Sequence, residues 1–470
     1  MGFACQVFPD TIIRGGPTDT GSRLLQHPRE MHWILKNILF GAPLFFLISA
    51  CASAPDVDGE TSALSRLTLA DAKRLAFERN WDLLAAKSSL DSATAQLLVV
   101  KEFPNPNLSA ATARIGDSEN ATPVGNGIWA RNYDTIFAVN QLIEIGGKRR
   151  DRQAAARAGV LGAKARFLDA KRTLDQGVTK AYVAALLAEE NERILRESAG
   201  YMQHERQIAE TRSDAGDLAD SDLKQIQVAA GQYDLQVKAA EIASVQARVA
   251  VEILLGINHP TGNWHPADAL NQVRREAAPI AGSQTNALRP DVLAAQMDLR
   301  AAAENLKLQK AERIPDPTVS LQYEHNPPGG GPPTDTIGFG VSFPLPIWNL
   351  NQGNIDAARA SVDQSNLALA KLRAQMDGDL ISAELAYEEA AERLKNYEDH
   401  IRPQSDSARA SVIFKFDKGG ATLVDLLEAE RSDNDVRIAT AQAMADTVTT
   451  AADLSAARTT LTETDLSSVK

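Results

Sequence analysis

Asp425 and Glu428 stand three residues apart, shortly after Gly419-Gly420. On a helix that spacing puts both carboxylates on one face. Spacing alone reads them as ordinary first-turn acids favoured by the helix dipole, or as a pair that concentrates negative charge on one face. Other chemistry is thinly represented. His204, His259, His265, His325 and His400 form no His-x3-His pair, and Met202, Met297, Met376 and Met444 are scattered. A soft-metal site wants clustered Cys, Met or His, so no metal ligand set is expected. The chain has no P-loop, no Gly-x-Ser-x-Gly and no His-Glu-x-x-His. Gly329-Gly330-Gly331 sits between proline pairs and reads as a loop, not a phosphate cradle. The remaining carboxylates decorate helical stretches as solvated faces, so no catalytic residues are expected and the chain does not read as an enzyme.

The elements that must position these groups are mostly helical. The chain has 470 residues, and its 49 Lys+Arg against 61 Asp+Glu leave a formal charge of −12. That balance argues against nucleic acid as a partner. Aromatics make up only 5 %, and Ala, Leu, Gln, Glu, Arg and Lys dominate long stretches, the signature of long helices. Two cysteines exclude a disulfide scaffold. No run of 18 apolar residues occurs, so no segment qualifies as a spanning helix. The much weaker signal of a membrane β-barrel is compatible with this composition.

Residues 1–50 read as a signal peptide. Lys36 precedes a short apolar run from Ile38 to Ala50, and Met31 would open a compact signal, so the true start is expected there. Ile48-Ser49-Ala50-Cys51 resembles a bacterial lipobox, in which the cysteine is lipidated and becomes the first mature residue. A covalent lipid at Cys51 is expected and no other cofactor. The plainer reading is a cleaved signal with an incidental cysteine. Ala52 and Ser53 lack the aspartate that retains lipoproteins in the inner membrane, which favours the outer membrane.

The rest is a tandem repeat. Asn80-Trp81-Asp82-Leu83-Leu84-Ala85-Ala86 and Arg289-Pro290-Asp291-Val292-Leu293-Ala294-Ala295 open similar helical stretches. They end at Pro104-Asn105-Pro106 and Pro315-Asp316-Pro317. Asp134-Thr135-Ile136 matches Asp335-Thr336-Ile337, and Gly216 to Leu223 matches Gly419 to Leu426. Each copy predicts a medium helix, two strands, a very long helix, a tight turn and a second long helix. Ile337, Phe339, Val341 and Phe343 alternate with Gly338, Gly340 and Ser342, which gives a strand one greasy face and one small or polar face. No proline interrupts Lys148 to Arg212 or Asn354 to Arg402. At about 1.5 Å per residue the first of these reaches roughly 100 Å. The chain reverses at Asp214-Ala215-Gly216 and Lys418-Gly419-Gly420, where glycine supplies the positive φ of a helix C-cap. Four strands cannot close a barrel in lipid, so lipid-facing strands demand oligomerisation. Three chains would supply twelve.

This plan resembles the TolC-like outer membrane efflux protein family over nearly all of residues 66–460. Gln141 to Arg149, Pro315-Asp316-Pro317 and Pro344 to Gly353 are similar to its heavy-metal, CzcC-like branch. The resemblance implies a mainly α fold with a small membrane β-barrel: a homotrimer making a 12-stranded barrel in outer membrane lipid and a long α-helical barrel beneath it. It implies two partners, a periplasmic adaptor and an inner-membrane proton-driven RND pump. The domains then read as signal 1–50, lipidated linker 51–65, first repeat 66–257, connector 258–287, second repeat 288–458 and tail 459–470. Asp425 and Glu428 align with the acidic rings of the family's periplasmic gate, where three-fold symmetry gathers three carboxylates per ring. Asp222 matches Asp425 in the first copy, but Gln225 replaces the second acid. Gly216, Gly419 and Gly420 mark the adaptor-facing tips. The implied function is a passive conduit exporting divalent heavy-metal cations. The alternatives are the same conduit carrying organic compounds, a periplasmic adaptor lipoprotein, or an envelope hydrolase. An adaptor carries one helical hairpin and this chain has two, which disfavours it.

Overall fold

A computed structural model of the chain describes residues 65–113, 134–277, 289–326 and 334–459. The signal segment, Cys51, the linker to residue 64, and residues 114–133, 278–288, 327–333 and 460–470 lie outside the described residues.

The two copies are built alike. In the first, α1 (Leu69–Arg79) and α2 (Trp81–Val99) meet at Asn80. The Asn80 side chain accepts from the Leu83 N–H and donates to the Leu254 carbonyl, which fixes the bend. Strands β2 (Asn107–Ala113) and β3 (Asp134–Leu142) follow, then α3 (Lys148–Asp214) and α4 (Asp220–Leu254). In the second copy α6 (Pro290–Ala311) leads to β5 (Thr318–Asn326) and β6 (Thr334–Ser342). Then come α7 (Gln352–Asn396), a π-turn at Tyr397–Ile401, α8 (Arg402–Asp417) and α9 (Leu423–Arg458). Between the copies lie the short strand β4 (His265–Pro266) and α5 (Leu270–Glu276), and β4 pairs in parallel with β1 (Arg66–Leu67).

Two details depart from the sequence reading. The second long helix reaches the expected turn at Lys418-Gly419-Gly420, but a π-turn that the sequence did not show lies before Pro403. The π-turn just before it widens the ladder, and the helix continues to Asp417. The strand match is also displaced by one residue. Ile136 pairs with Ala111 and Glu324 on the polar face, whereas Ile337 pairs with Tyr323 on the apolar face. Strand periodicity of two turns a one-residue offset into a change of face.

The four long strands form one antiparallel sheet in the order β2-β3-β5-β6. Leu108, Val139, Leu321 and Phe339 project from one face and are exposed. The opposite face carries Ser109, Asn140, Ser320 and Gly340. At about 3.3 Å per residue, nine-residue strands reach roughly 30 Å, the thickness of a bilayer core. Among the described residues no helix is long and apolar enough to cross a membrane.

The main core lies midway along α3. Tyr182, Val178, Trp264, Leu67 and Val448 are fully or almost fully buried there. The Tyr182 hydroxyl lies 2.7 Å from the Leu67 carbonyl and 2.9 Å from Asp268 Oδ2, which clamps the first strand to the connector. Trp264 stacks on Tyr182 at 6.0 Å and donates its indole N–H to the Arg248 carbonyl.

The hairpin tips and family membership

The two helical hairpins end in equivalent turns. Gly216 and Gly419 take φ of 80° and 77°, which L side chains avoid. In each, the following residue closes back five positions: Asp217 N–H donates to Arg212 O at 2.8 Å, and Gly420 N–H to Lys415 O at 2.8 Å. The tips pack together through Leu423 of α9 and Ala209 and Ile226 of α3 and α4.

Their next helices start differently. α9 begins with a capping box. Asp425 N–H donates to Thr422 Oγ1 at 3.2 Å, while the Thr422 N–H and hydroxyl donate to Asp425 Oδ2 at 2.8 and 2.7 Å. Those bonds hold the Asp425 carboxyl below its ordinary range. Asp425 is therefore a capping acid in the structure, at an exposed position. In the first tip Ala219 stands where Thr422 stands, and α4 has no side-chain cap. Asp222 accepts from Ser221 Oγ at 3.3 Å.

Glu428 is exposed and lines a groove of about 1090 Å³ between α4 and α9, together with Gln225, Tyr233, Gln236, Val424 and Arg431. The fold thus brings Glu428 and its counterpart Gln225 to one groove.

Sequence reasoning missed the charged cluster behind this groove. Arg409 of α8 reaches across to α9, with its Nε 2.7 Å from Glu430 Oε1 and 3.8 Å from Asp433 Oδ2. Glu430 Oε1 accepts no aligned hydrogen bond, so the contact is an ion pair rather than a directed bond. Ser405 Oγ donates to Asp433 Oδ1 at 3.0 Å. The guanidinium also lies 5.2 Å over the Tyr201 ring of α3. Glu430 and Asp433 are each 5 % exposed. Burial raises the Glu430 pKa, with Asp433 and Glu205 adding to the rise and Arg409 opposing it. Burial, Glu205 and Glu430 likewise raise the Tyr201 hydroxyl. Two acids at spacing three were visible in the sequence, but their burial was not.

Among the described residues no group of three or more His, Cys, Asp or Glu is arranged to hold a metal ion.

Comparison with known proteins matches residues 73–257 and 281–458 to one family, described as outer membrane efflux protein. The chain belongs to the outer membrane efflux protein family. It is a conduit protein of that family, not an enzyme. The two matched segments coincide with the two structural copies, each ending at its hairpin's last helix. The chain is 25 % identical over 380 residues to the cobalt-zinc-cadmium resistance protein CzcC of Cupriavidus metallidurans, covering 79 % of this chain and 84 % of that protein. It is 22 % identical over 378 residues to the probable outer membrane lipoprotein SilC of Salmonella typhimurium, covering 76 % and 78 %. The crystal structure of CusC superposes with a TM-score of 0.68 at 16 % identity, over 83 % of this chain and 91 % of that one. That likeness shows the efflux-channel fold.

Proposed function

We propose that this efflux protein is a homotrimeric, lipid-anchored outer membrane duct that exports divalent heavy-metal cations handed to it by an adaptor and an inner-membrane RND pump. The observation that carries the metal reading is the similarity to the cobalt-zinc-cadmium resistance protein over most of both chains. The sheet supports the trimer: four strands with a greasy outer face and two unpaired edges need further strands to close in lipid. The lipobox at Cys51 and the similarity to a lipoprotein support the anchor. Residues 51–65 then act as the linker and 258–287 as the belt between repeats.

Transport needs no chemistry from this chain. The pump supplies energy, and the duct supplies a polar passage. At its periplasmic end three copies of Asp425 and Glu428 form acidic rings that favour cations. Asp425 suits that role because its depressed pKa keeps it ionised. Asp222 contributes a weaker third position. The tips around Gly216, Gly419 and Gly420 receive the adaptor.

The test is metal tolerance of a deletion strain, read for zinc, cobalt, cadmium, copper and silver beside dyes and antibiotics. Sensitivity confined to metals and restored by the gene is the expected result. Sensitivity confined to organic compounds overturns the metal reading and leaves the duct.

A further inference from the structure

The greasy face of the sheet does not end where its strands end. On β6 the apolar set Ile337, Phe339 and Val341 runs on through Phe343 and Leu345, and all five are more than half exposed. On β3 the same face runs on through the exposed Ile143 and Ile145. On β2 and β5 the corresponding positions are Pro106 and Pro104, and Pro317 and Pro315. From Ile337 to Leu345 this band is roughly 26 Å tall, close to the hydrocarbon core of a bilayer. Asp335, on the same face, closes its far end.

Aromatic rings and cations close the end nearest the helices. Trp348 is 93 % exposed, which suits a ring at the headgroup level of a membrane. Phe103 is 71 % exposed, and the Arg149 guanidinium lies 3.7 Å over its ring. Arg149 also donates to the Lys101 carbonyl. These contacts pin the end of α2 to the start of α3 and hold the guanidinium at the edge of the band. Its Nε has no hydrogen-bond partner among the described residues. Neighbouring cations are already spent: Lys148 lies 2.8 Å from Asp316, and Arg152 2.6 Å from Glu144. Arg149 and the exposed Lys101 have no ion-pair partner among the described residues.

The acids beside them narrow the ligand. Lys101-Glu102 precedes Phe103-Pro104, and Glu312-Arg313 precedes Ile314-Pro315 at the matching point of the second copy. All four charged residues are exposed. A purely anionic headgroup would meet a carboxylate at each junction. A headgroup that carries a phosphate and a primary ammonium finds a charge of the right sign for each. The cation on the long helix is peculiar to the first copy. The caps Gly147 and Asn351 correspond, so Gly353 stands where Arg149 stands.

We propose that the α2–α3 junction of the first copy holds the headgroup of an ethanolamine phospholipid, with its phosphate on Arg149 and Lys101 and its ammonium on Glu102. The site rests on reading the sheet as a lipid-facing wall. It adds to that wall one fixed lipid per chain, which sets the depth of the band in the membrane.

Native mass spectrometry of the full-length protein extracted from outer membranes tests the site. Ethanolamine, glycerol and choline phospholipids of one acyl composition are added at equal concentration. The ethanolamine lipid is expected to saturate at one per chain and to survive activation that strips the other two. Arg149→Gln and Lys101→Gln are each expected to weaken that retention about tenfold, the worth of one charge-assisted contact. Arg149→Lys should keep most of it, and Arg313→Gln should leave it unchanged. Equal retention of the glycerol lipid overturns the ethanolamine assignment, and unchanged retention in Arg149→Gln overturns the site. In vesicles, brominated phospholipid should quench Trp348, read as the quenching lost in Trp348→Phe. Quenching of Trp348 without a saturable lipid overturns the site and leaves the band. A Trp348 that is not quenched overturns the band as well.

Discussion

The two hairpin tips share a turn and differ in everything that loads it. Both close through a left-handed glycine and the same five-residue return bond. The second tip adds a capping box, a π-turn upstream and a buried charge cluster. The first tip has an uncapped α4, and a glutamine replaces the second acid. α8 buries none of its residues, while α3 is buried along much of its length. α8 of the second hairpin is therefore held by a few polar contacts, whereas α9 beside it is buried along much of its length.

Perturbing the charge cluster gives the largest expected contrast. Arg409→Ala leaves Glu430 and Asp433 buried without their cation. Loss of such a partner costs about 3 kcal/mol, the low end of its range, because the guanidinium is one-third exposed. Limited proteolysis is expected to cut the second tip first and spare the first; equal cleavage at both tips removes the distinction. Next in size is the effect of charge. Asp425→Lys/Glu428→Lys is expected to abolish cation preference in single-channel recordings while trimers still assemble, and Asp222→Lys to shift it less. Unchanged conductance in the double variant sinks the gate. Smaller still is the cap. Thr422→Ala costs about 1 kcal/mol of helix stability, and Ala219→Thr gains a similar amount at the first tip. Hydrogen exchange at the two helix starts reads both changes.

The smallest effect is that of pH. Glu430 has a raised pKa in the folded chain, so the folded state binds its proton more tightly than the unfolded state. The second tip should thus gain protection as pH falls through the raised value toward the ordinary 4.5, and lose it as pH rises. Glu430→Gln should flatten that dependence. Asp425 works in the opposite sense: its lowered pKa means its capping contribution is present above the ordinary 3.8 and lost as pH falls below it. A parent profile with no slope above pH 4.5 rejects the assignment of Glu430.

Much of this was legible in the residues. Strand alternation, proline stops and the glycine turns are local rules, and they located the sheet strands, α3 and both tips to within a few residues. The π-turn at Tyr397–Ile401 was not legible, because it is a compromise of the whole ladder and not a preference of one residue. The one-residue strand offset was not legible either. Sequence similarity aligned Asp134 with Asp335, but pairing with β5 decides which face a residue takes.

By itself the sequence determined the repeat, the lengths of its helices, the places where they reverse and the two-faced strands. These follow from periodicity and backbone chemistry, which act within a few residues. Tertiary structure decided that Asp425 spends one oxygen on Thr422 while Glu428 faces an open groove. It also decided that Arg409 carries two buried acids. The reason is that burial belongs to a residue's neighbours. Two copies of one pattern acquire different roles only when the fold gives each copy a different set of neighbours.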